Sequence, residues 1–220
     1  MRTEDEMLQG LLAGAVQMLV ITGIWIRYDI VSLKKGGGKQ RLALTVMGVL
    51  TVLLNTLLFC REYRVNTVIN IMAVHTIMAV LAGIDLKRKV IPNIILAVGF
   101  AVRVLLLVHE WIAYPETIQA SLLNMTAGFF FGLIFLLLLS FVTRHGIGYG
   151  DVKMFAWLGF SVGLSDAYNI LFYSVLAAAA AGVYLLLIKK ADRKKELPFA
   201  PFVYAGCYLV FGLTFLQGLG

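Results

Sequence analysis

The chain alternates between long apolar runs and short charged stretches over its whole length. An α-helix needs roughly 20 apolar residues to cross the ~30 Å hydrocarbon core of a bilayer. Cutting the sequence at its charges predicts eight helical segments, and most of them are long enough to span. They are Gln9–Ile26, Leu42–Cys60, Val65–Ile84, Val90–Val108, Thr117–Thr143, Met154–Ser165, Ala167–Ile188 and Leu197–Gly220. The pattern predicts an all-α fold, a polytopic transmembrane bundle of about eight helices.

The sixth segment, Met154–Ser165, is shorter than the others. Its 12 residues give about 18 Å of helix, less than the thickness of the hydrocarbon core. If it crosses, Asp151 and Lys153 are drawn toward the membrane, where lysine can extend its head group to water and aspartate cannot. If it is re-entrant, seven spans remain.

Composition narrows the class of protein. Of the 220 residues, 60% are hydrophobic and 14% are charged, whereas an ordinary soluble domain has about 25% charged residues. This excludes a soluble enzyme and a disordered linker, and two cysteines make no disulfide framework. The net charge of +7 comes from basic residues in short loops, which is typical of membrane topology and not of nucleic-acid binding.

The basic residues also predict an orientation. If the N-terminus lies outside, the four cytoplasmic loops contain 15 lysines and arginines and the outer side contains four. Cytoplasmic loops carry the excess of basic residues in membrane proteins. We therefore expect both termini outside, and contact with membrane lipids on all sides of the bundle.

Two aspartates are predicted at the cytoplasmic face. Asp85 closes the third helix, and Asp151 opens the sixth helix behind the alternating glycines Gly146, Gly148 and Gly150. Acidic residues at membrane depth are expensive, so they mark functional sites. Glycine allows another backbone to approach closely, which suits an extended peptide substrate.

Two nearby carboxylates can share one proton, so that one activates water while the other donates a hydrogen bond to the scissile carbonyl. This chemistry needs no metal and no cofactor. Structural roles stay open at this point: the alternatives are that Asp85 is a helix cap or a partner of the basic Lys87–Lys89, and that Asp151 is a helix N-cap.

Three motifs around these residues resemble those of the type IV prepilin peptidases, which are membrane aspartyl peptidases with a Gly-x-Gly-Asp motif. The motifs are Gly148–Lys153 (Gly-Tyr-Gly-Asp-Val-Lys), Asp85–Asn93 (Asp, a basic loop, then Ile-Pro-Asn) and Leu197–Phe202 (Leu-Pro-Phe-Ala-Pro-Phe). In the last motif, Ala200 stands where the family has glycine.

The resemblance implies cleavage of the leader peptide from pilin-like precursors at the cytoplasmic face of a bacterial plasma membrane. It implies Asp85 and Asp151 as the catalytic pair, and Gly148, Gly150 and Lys153 as the active-site loop. Pro92, Asn93, Pro198 and Pro201 are expected to position helices. The resemblance covers residues 67–220, a predicted catalytic core of six helices, and leaves residues 1–66 as two N-terminal helices without an assigned role.

Many family members carry two Cys-x-x-Cys pairs after the first helix, associated with N-methylation of the mature pilin. The segment Arg27–Arg41 contains no cysteine, so the chain resembles a short form without methyltransferase activity. A small proton- or cation-coupled transporter, with Asp85 and Asp151 as ligands, is the alternative function, because intramembrane acids also mark ion paths. A third possibility is a catalytically inactive protein of pilus assembly.

Other polar and small residues are predicted to be structural. We expect His75 to be an interior polar residue and Cys207 a buried apolar one. Asp166 is expected in the outer turn between helices six and seven. The small-residue run Ala177–Ala181, with Gly182, is expected to pack closely against a neighbouring helix.

Overall fold

The computed structural model describes residues 2–28, 30, 38–59, 63–142, 148–187 and 197–217. Within these ranges the regular structure consists of eight α-helices. They are α1 (Arg2–Arg27), α2 (Gly38–Phe59), α3 (Val65–Arg88), α4 (Asn93–Ala113), α5 (Ile118–Val142), α6 (Tyr149–Val162), α7 (Leu164–Leu187) and α8 (Ala200–Gln217). The prediction of an all-α bundle is confirmed.

Five of these helices, α1, α3, α4, α5 and α7, are long and apolar enough to cross a membrane. Shorter apolar helical stretches, Val46–Phe59 and Ala200–Thr214, lie in α2 and α8. The predicted helix count and the multi-pass architecture therefore agree with the structure. Which side of the membrane each terminus faces stays a prediction.

Two predicted boundaries around the sixth helix are wrong. The helix α6 begins at Tyr149 and not at Met154, so Asp151 lies within its first turn. Asp166, expected in a turn, lies in the first turn of α7. Cutting at charged residues ends a helix too early, because an aspartate in the first turn is stabilised by the helix dipole. Likewise α3 continues to Arg88, so Asp85 lies in its last turn and not at its end.

The short helix α6 lies inside the bundle. It contacts α3, α4, α5 and α7, and its buried residues include Phe155, Trp157 and Leu158. Its 14 residues span about 21 Å, whereas the 24 residues of α3 span about 36 Å. The helix α6 is therefore about 15 Å shorter than α3.

Glycines bring α5 and α6 into backbone contact. A Cβ atom at Gly159 would overlap the carbonyl oxygen of Gly128, and one at Gly132 would meet the carbonyl oxygen of Phe155. Small residues allow such close approach of helices in membrane proteins. The expected close packing at Gly182 is wrong, because a Cβ atom there would meet nothing within 4 Å in the described part of the chain.

His75 is fully buried between α2, α3 and α8, as expected of an interior polar residue. Its Nε2 lies 3.1 Å from Thr51 Oγ1, 3.1 Å from the Tyr204 hydroxyl and 2.9 Å from the Tyr208 hydroxyl. Nδ1 has no hydrogen-bond partner among the described residues. Cys207 is also buried, as predicted.

A second group of polar bonds ties α1 to α2 and α3. Gln17 donates from Nε2 to the hydroxyl of Thr76 at 2.8 Å and to the carbonyl oxygen of Met72 at 3.0 Å. Asn55 donates to Gln17 Oε1 at 2.6 Å. The two N-terminal helices are thus hydrogen-bonded to the rest of the bundle. The predicted division between residues 66 and 67 falls in the first turn of α3 and stays a prediction.

We expect Gly159→Ala to lower the free energy of unfolding by about 1–3 kcal/mol, because the added methyl group forces apart two backbones that cannot repack. The matched control is Gly182→Ala, which removes a glycine from a helix without a steric contact. It should leave stability unchanged or raise it by up to about 1 kcal/mol. Unfolding of the purified protein in detergent measures both, and equal effects of the two substitutions would contradict the packing of α5 on α6.

Candidate active site

Asp85 lies in the last turn of α3, and its side chain is hydrogen-bonded to another helix. Oδ2 accepts the backbone N–H of Ala200, the first residue of α8, at 3.0 Å. The first N–H groups of a helix have no partner within the helix. Asp85 therefore acts as a cap for α8 supplied by α3. This contact holds a carboxylate that is only 6% exposed.

The turn between α3 and α4 is tight. Lys89 adopts a left-handed conformation, with φ 51°, and its N–H donates to the carbonyl oxygen of Asp85 at 2.9 Å. Pro92 is the N-cap of α4, and Asn93 is the first helical residue. The left-handed residue ends α3 and the proline starts α4, so the chain reverses next to Asp85.

Asp151 lies in the first turn of α6, directly after two of the three alternating glycines. The N-cap is Gly148, so the structural alternative in which Asp151 is the N-cap is wrong. A Cβ atom at Gly150 would lie 3.1 Å from the side chain of Ile91, which shows how closely α6 approaches the α3–α4 turn. Gly146 lies outside the described residues.

The start of α8 completes this end of the bundle. Phe199 stacks on Phe155 of α6, with ring centroids 5.9 Å apart. Pro201 lies in the first turn of α8, where a missing N–H costs nothing, and Pro198 precedes the helix. The prolines and Phe199 thus direct the N–H of Ala200 toward Asp85.

The two aspartates line one pocket of about 340 Å³. Asp85 is close enough to act electrostatically on Asp151. Beside them, Lys153 Nζ donates to Asn93 Oδ1 at 3.4 Å. The other lining residues are Lys89, Val90, Ile91, Gly148 and Gly150.

The structure therefore brings together most of the residues predicted for the site. Pro92, Pro198 and Pro201 do not line the pocket but begin α4 and α8. Sequence reasoning missed the backbone N–H of Ala200 and the part of Ile91 in fixing the approach of α6. The Pro-Phe-Ala-Pro and Ile-Pro motifs that contain these residues were recognised in the sequence. No sequence signal shows which atoms Ala200 and Ile91 contact.

Two carboxyl groups in one recess can hold a single proton between them, because repulsion disfavours the doubly ionised pair. Such a pair can polarise a carbonyl and activate water at the same time. Among the described residues, no group of three His, Cys, Asp or Glu side chains comes together as a metal site would require.

Comparison with known proteins agrees with this arrangement. The sequence profile of the Type IV leader peptidase family matches residues 72–183. No solved structure gives a significant match to the chain.

Curated relatives are named prepilin leader peptidase/N-methyltransferase. The protein from Bacillus subtilis is 31% identical over 140 residues, which are 62% of this chain and 52% of the relative. The protein from Xanthomonas campestris is 27% identical over 135 residues, 61% of this chain and 46% of the relative. A shorter match, 35% over 60 residues, is to Aeromonas hydrophila and covers 27% of this chain and 21% of the relative.

The chain thus spans about half the length of the first two relatives. The family profile begins within α3, ends within α7 and contains both aspartates. The resemblance inferred from the three motifs is confirmed: the chain belongs to the Type IV leader peptidase family, and it is a multi-pass bacterial membrane protein.

Proposed function

We propose that the chain is a membrane aspartyl endopeptidase that removes the leader peptide from type IV pilin-like precursors at the cytoplasmic membrane face. The observation that carries this proposal is the shared pocket of Asp85 and Asp151, whose side chains come from the end of α3 and the start of α6. Membership in the leader peptidase family supports the substrate class.

The proposed mechanism uses the pair as acid and base. One aspartate is ionised and takes a proton from a water molecule, whose oxygen attacks the carbonyl carbon of the scissile peptide bond. The other aspartate is protonated and hydrogen-bonds the carbonyl oxygen as negative charge develops there. Collapse of the tetrahedral intermediate passes a proton to the leaving amine. The N–H of Ala200 takes one of the about four lone-pair sites of the Asp85 carboxylate, so sites on that carboxylate remain for water or for Asp151.

The surroundings of the pocket suit a substrate that is cut next to a hydrophobic helix. Gly148 lies directly before α6, and the absence of a side chain there leaves room for an extended peptide, whereas Gly150 is packed against Ile91. A separate apolar groove of about 460 Å³ is lined by α1, α3 and α4, and it includes Ile94 and Ile95, which follow the pocket residue Asn93 in the chain. In this proposal, the leader lies at the pocket and the hydrophobic helix of the precursor lies along the bundle.

We further propose that the chain cleaves without methylating the mature N-terminus. The segment between α1 and α2 contains no cysteine, whereas a thiolate zinc site needs several. A mass spectrum of the mature pilin tests this directly, because methylation adds the mass of one methylene group. A methylated product formed by the purified chain would contradict the proposal.

Asp85→Asn and Asp151→Asn should each lower leader cleavage by roughly 10²- to 10⁴-fold, because each removes one half of an acid–base pair. Asp166→Asn is the matched control, since Asp166 lies in the first turn of α7 and does not line the aspartate pocket. Co-expression with pilin-like precursors and mass spectrometry of the mature N-terminus measure the effect. Cleavage that survives either of the first two substitutions would refute the two-aspartate mechanism.

Gly150→Val should lower the cleavage rate by about 10²-fold while the protein stays folded. The added side chain meets Ile91 and moves the start of α6 away from the α3–α4 turn, and a displacement of about 1 Å is enough to misalign a catalytic pair. Gly23→Val is the control, because a Cβ atom at Gly23 would meet no described atom within 4 Å. An unchanged rate for Gly150→Val, with normal thermal unfolding, would show that the approach of Gly150 to Ile91 is not needed for cleavage.

A further inference from the structure

A second polar pocket lies at the opposite end of the bundle from the aspartates. It has a volume of about 210 Å³ and is lined by the first residues of α3 and by residues of α4, α5 and α6. Asn66 in this pocket and Asp85 are on the same helix, separated by about 28 Å along its axis. That distance is close to the thickness of the hydrocarbon core, so the two pockets open at opposite membrane surfaces.

Two buried side chains that line this pocket have hydrogen-bond donors without acceptors. Asn66 is 5% exposed and its Nδ2 has no partner among the described residues. Arg103 is 6% exposed and its Nε likewise has none. A buried donor that stays unsatisfied is costly, and more so when it is charged. Asn66 Nδ2 and Arg103 Nε therefore each need a hydrogen-bond acceptor that the described protein atoms do not supply.

The charged groups of the pocket leave one positive charge in excess. Arg103 pairs with Glu110 through both terminal nitrogens, with Nη1 2.9 Å from Oε1 and Nη2 3.4 Å from Oε2, and Nη2 also lies 3.0 Å from the weak acceptor Sδ of Met125. Among the lining residues that the structure describes, Arg64 is the other charged one, and no further acidic side chain balances it. Its guanidinium lies 4.5 Å from the centre of the Tyr114 ring and donates to Thr117 Oγ1 at 3.3 Å. These contacts hold Arg64 at the rim of the pocket.

Helix ends add to the positive potential. The pocket receives the N-terminal ends of α3 and α5 and the residue before α7, at Asn66, Thr117 and Gly163. Helix N-termini favour anions. The C-terminal ends of α4 and α6 also reach the pocket, at Tyr114 and Ser161, so three helix N-termini face two C-termini. The carbonyl oxygen of Ser161 already accepts a hydrogen bond from Asn70 at 2.8 Å.

We propose that this pocket binds an oxoanion, a phosphate group, through Arg64, Arg103 and Asn66. Guanidinium and amide N–H groups match the oxygens of a phosphate, and the single excess charge matches that of a phosphodiester. The phosphate can be that of a phospholipid headgroup at this membrane surface or a free phosphate ion. Both sources offer the same acceptor oxygens to the same donors.

The test uses the full chain, purified in detergent and freed of lipid. Native mass spectrometry measures its affinity for phosphatidylglycerol, for diacylglycerol with the same acyl chains and for inorganic phosphate. Arg64→Gln and Asn66→Leu should each weaken binding of the phosphate-bearing ligand about tenfold or more, since each removes donors to the anion. Arg64→Lys, which keeps the charge, should lose less. Arg27→Gln removes an equal charge from an exposed position at the end of α1 and should leave the affinity unchanged.

The outcomes separate the two sources and test the site. Selective binding of phosphatidylglycerol over diacylglycerol, weakened by both variants, supports a lipid headgroup. Binding of inorganic phosphate alone, with the same dependence on Arg64 and Asn66, supports a free ion. Equal binding of diacylglycerol and phosphatidylglycerol, or binding that neither variant weakens, overturns the proposal. Thermal unfolding confirms that Arg64→Gln, at an exposed residue, is folded, so that the result does not depend on the buried Asn66 alone.

Discussion

The shortness of the buried helix α6 is the constraint on which both ends of this bundle depend. With 14 residues it spans about 21 Å between neighbours that are considerably longer, so a recess is left at each of its ends. One recess contains Asp85 and Asp151, and the other contains Arg64, Arg103 and Asn66. The backbone contact of Gly128 with Gly159 fixes the height of α6, and therefore fixes the depth of both recesses together.

A buried carboxylate needs a hydrogen-bond donor, and Asp85 on α3 accepts a hydrogen bond from the backbone N–H of Ala200 on α8. Because α3 and α8 run in opposite directions, that single bond also sets which residues face each other further along. Ten residues before Asp85, His75 meets the hydroxyls of Tyr204 and Tyr208. The contacts of His75 with the two tyrosines and the contact of Asp85 with Ala200 therefore depend on the same alignment of α3 with α8.

Hydrophobic runs in the sequence were enough to predict the number of helices and most of their positions, because crossing a membrane imposes a length that is visible without a structure. Motifs were enough to predict that Asp85, Asp151, Gly148 and Lys153 come together, whereas the place of Asn93 in the same pocket was not predicted. The start of α6, the cap that Ala200 receives and the donors at Asn66 and Arg103 were not predictable. They depend on contacts between residues far apart in the chain, and a pattern of single residues contains no information about such pairs.

The helices α1 and α2 supply hydrogen-bond partners to buried groups of the family-matched segment. Gln17 is the hydrogen-bond partner of the Thr76 hydroxyl, and Thr51 is a partner of His75. In a shortened chain that starts at α3, Thr76 would keep only its bond to the carbonyl oxygen of Met72, and His75 would keep only the hydroxyls of Tyr204 and Tyr208. A minimal version of the protein that keeps only the family-matched residues 72–183 would lack α8 too, so that His75 would lose both tyrosine hydroxyls and Asp85 would lose the N–H of Ala200.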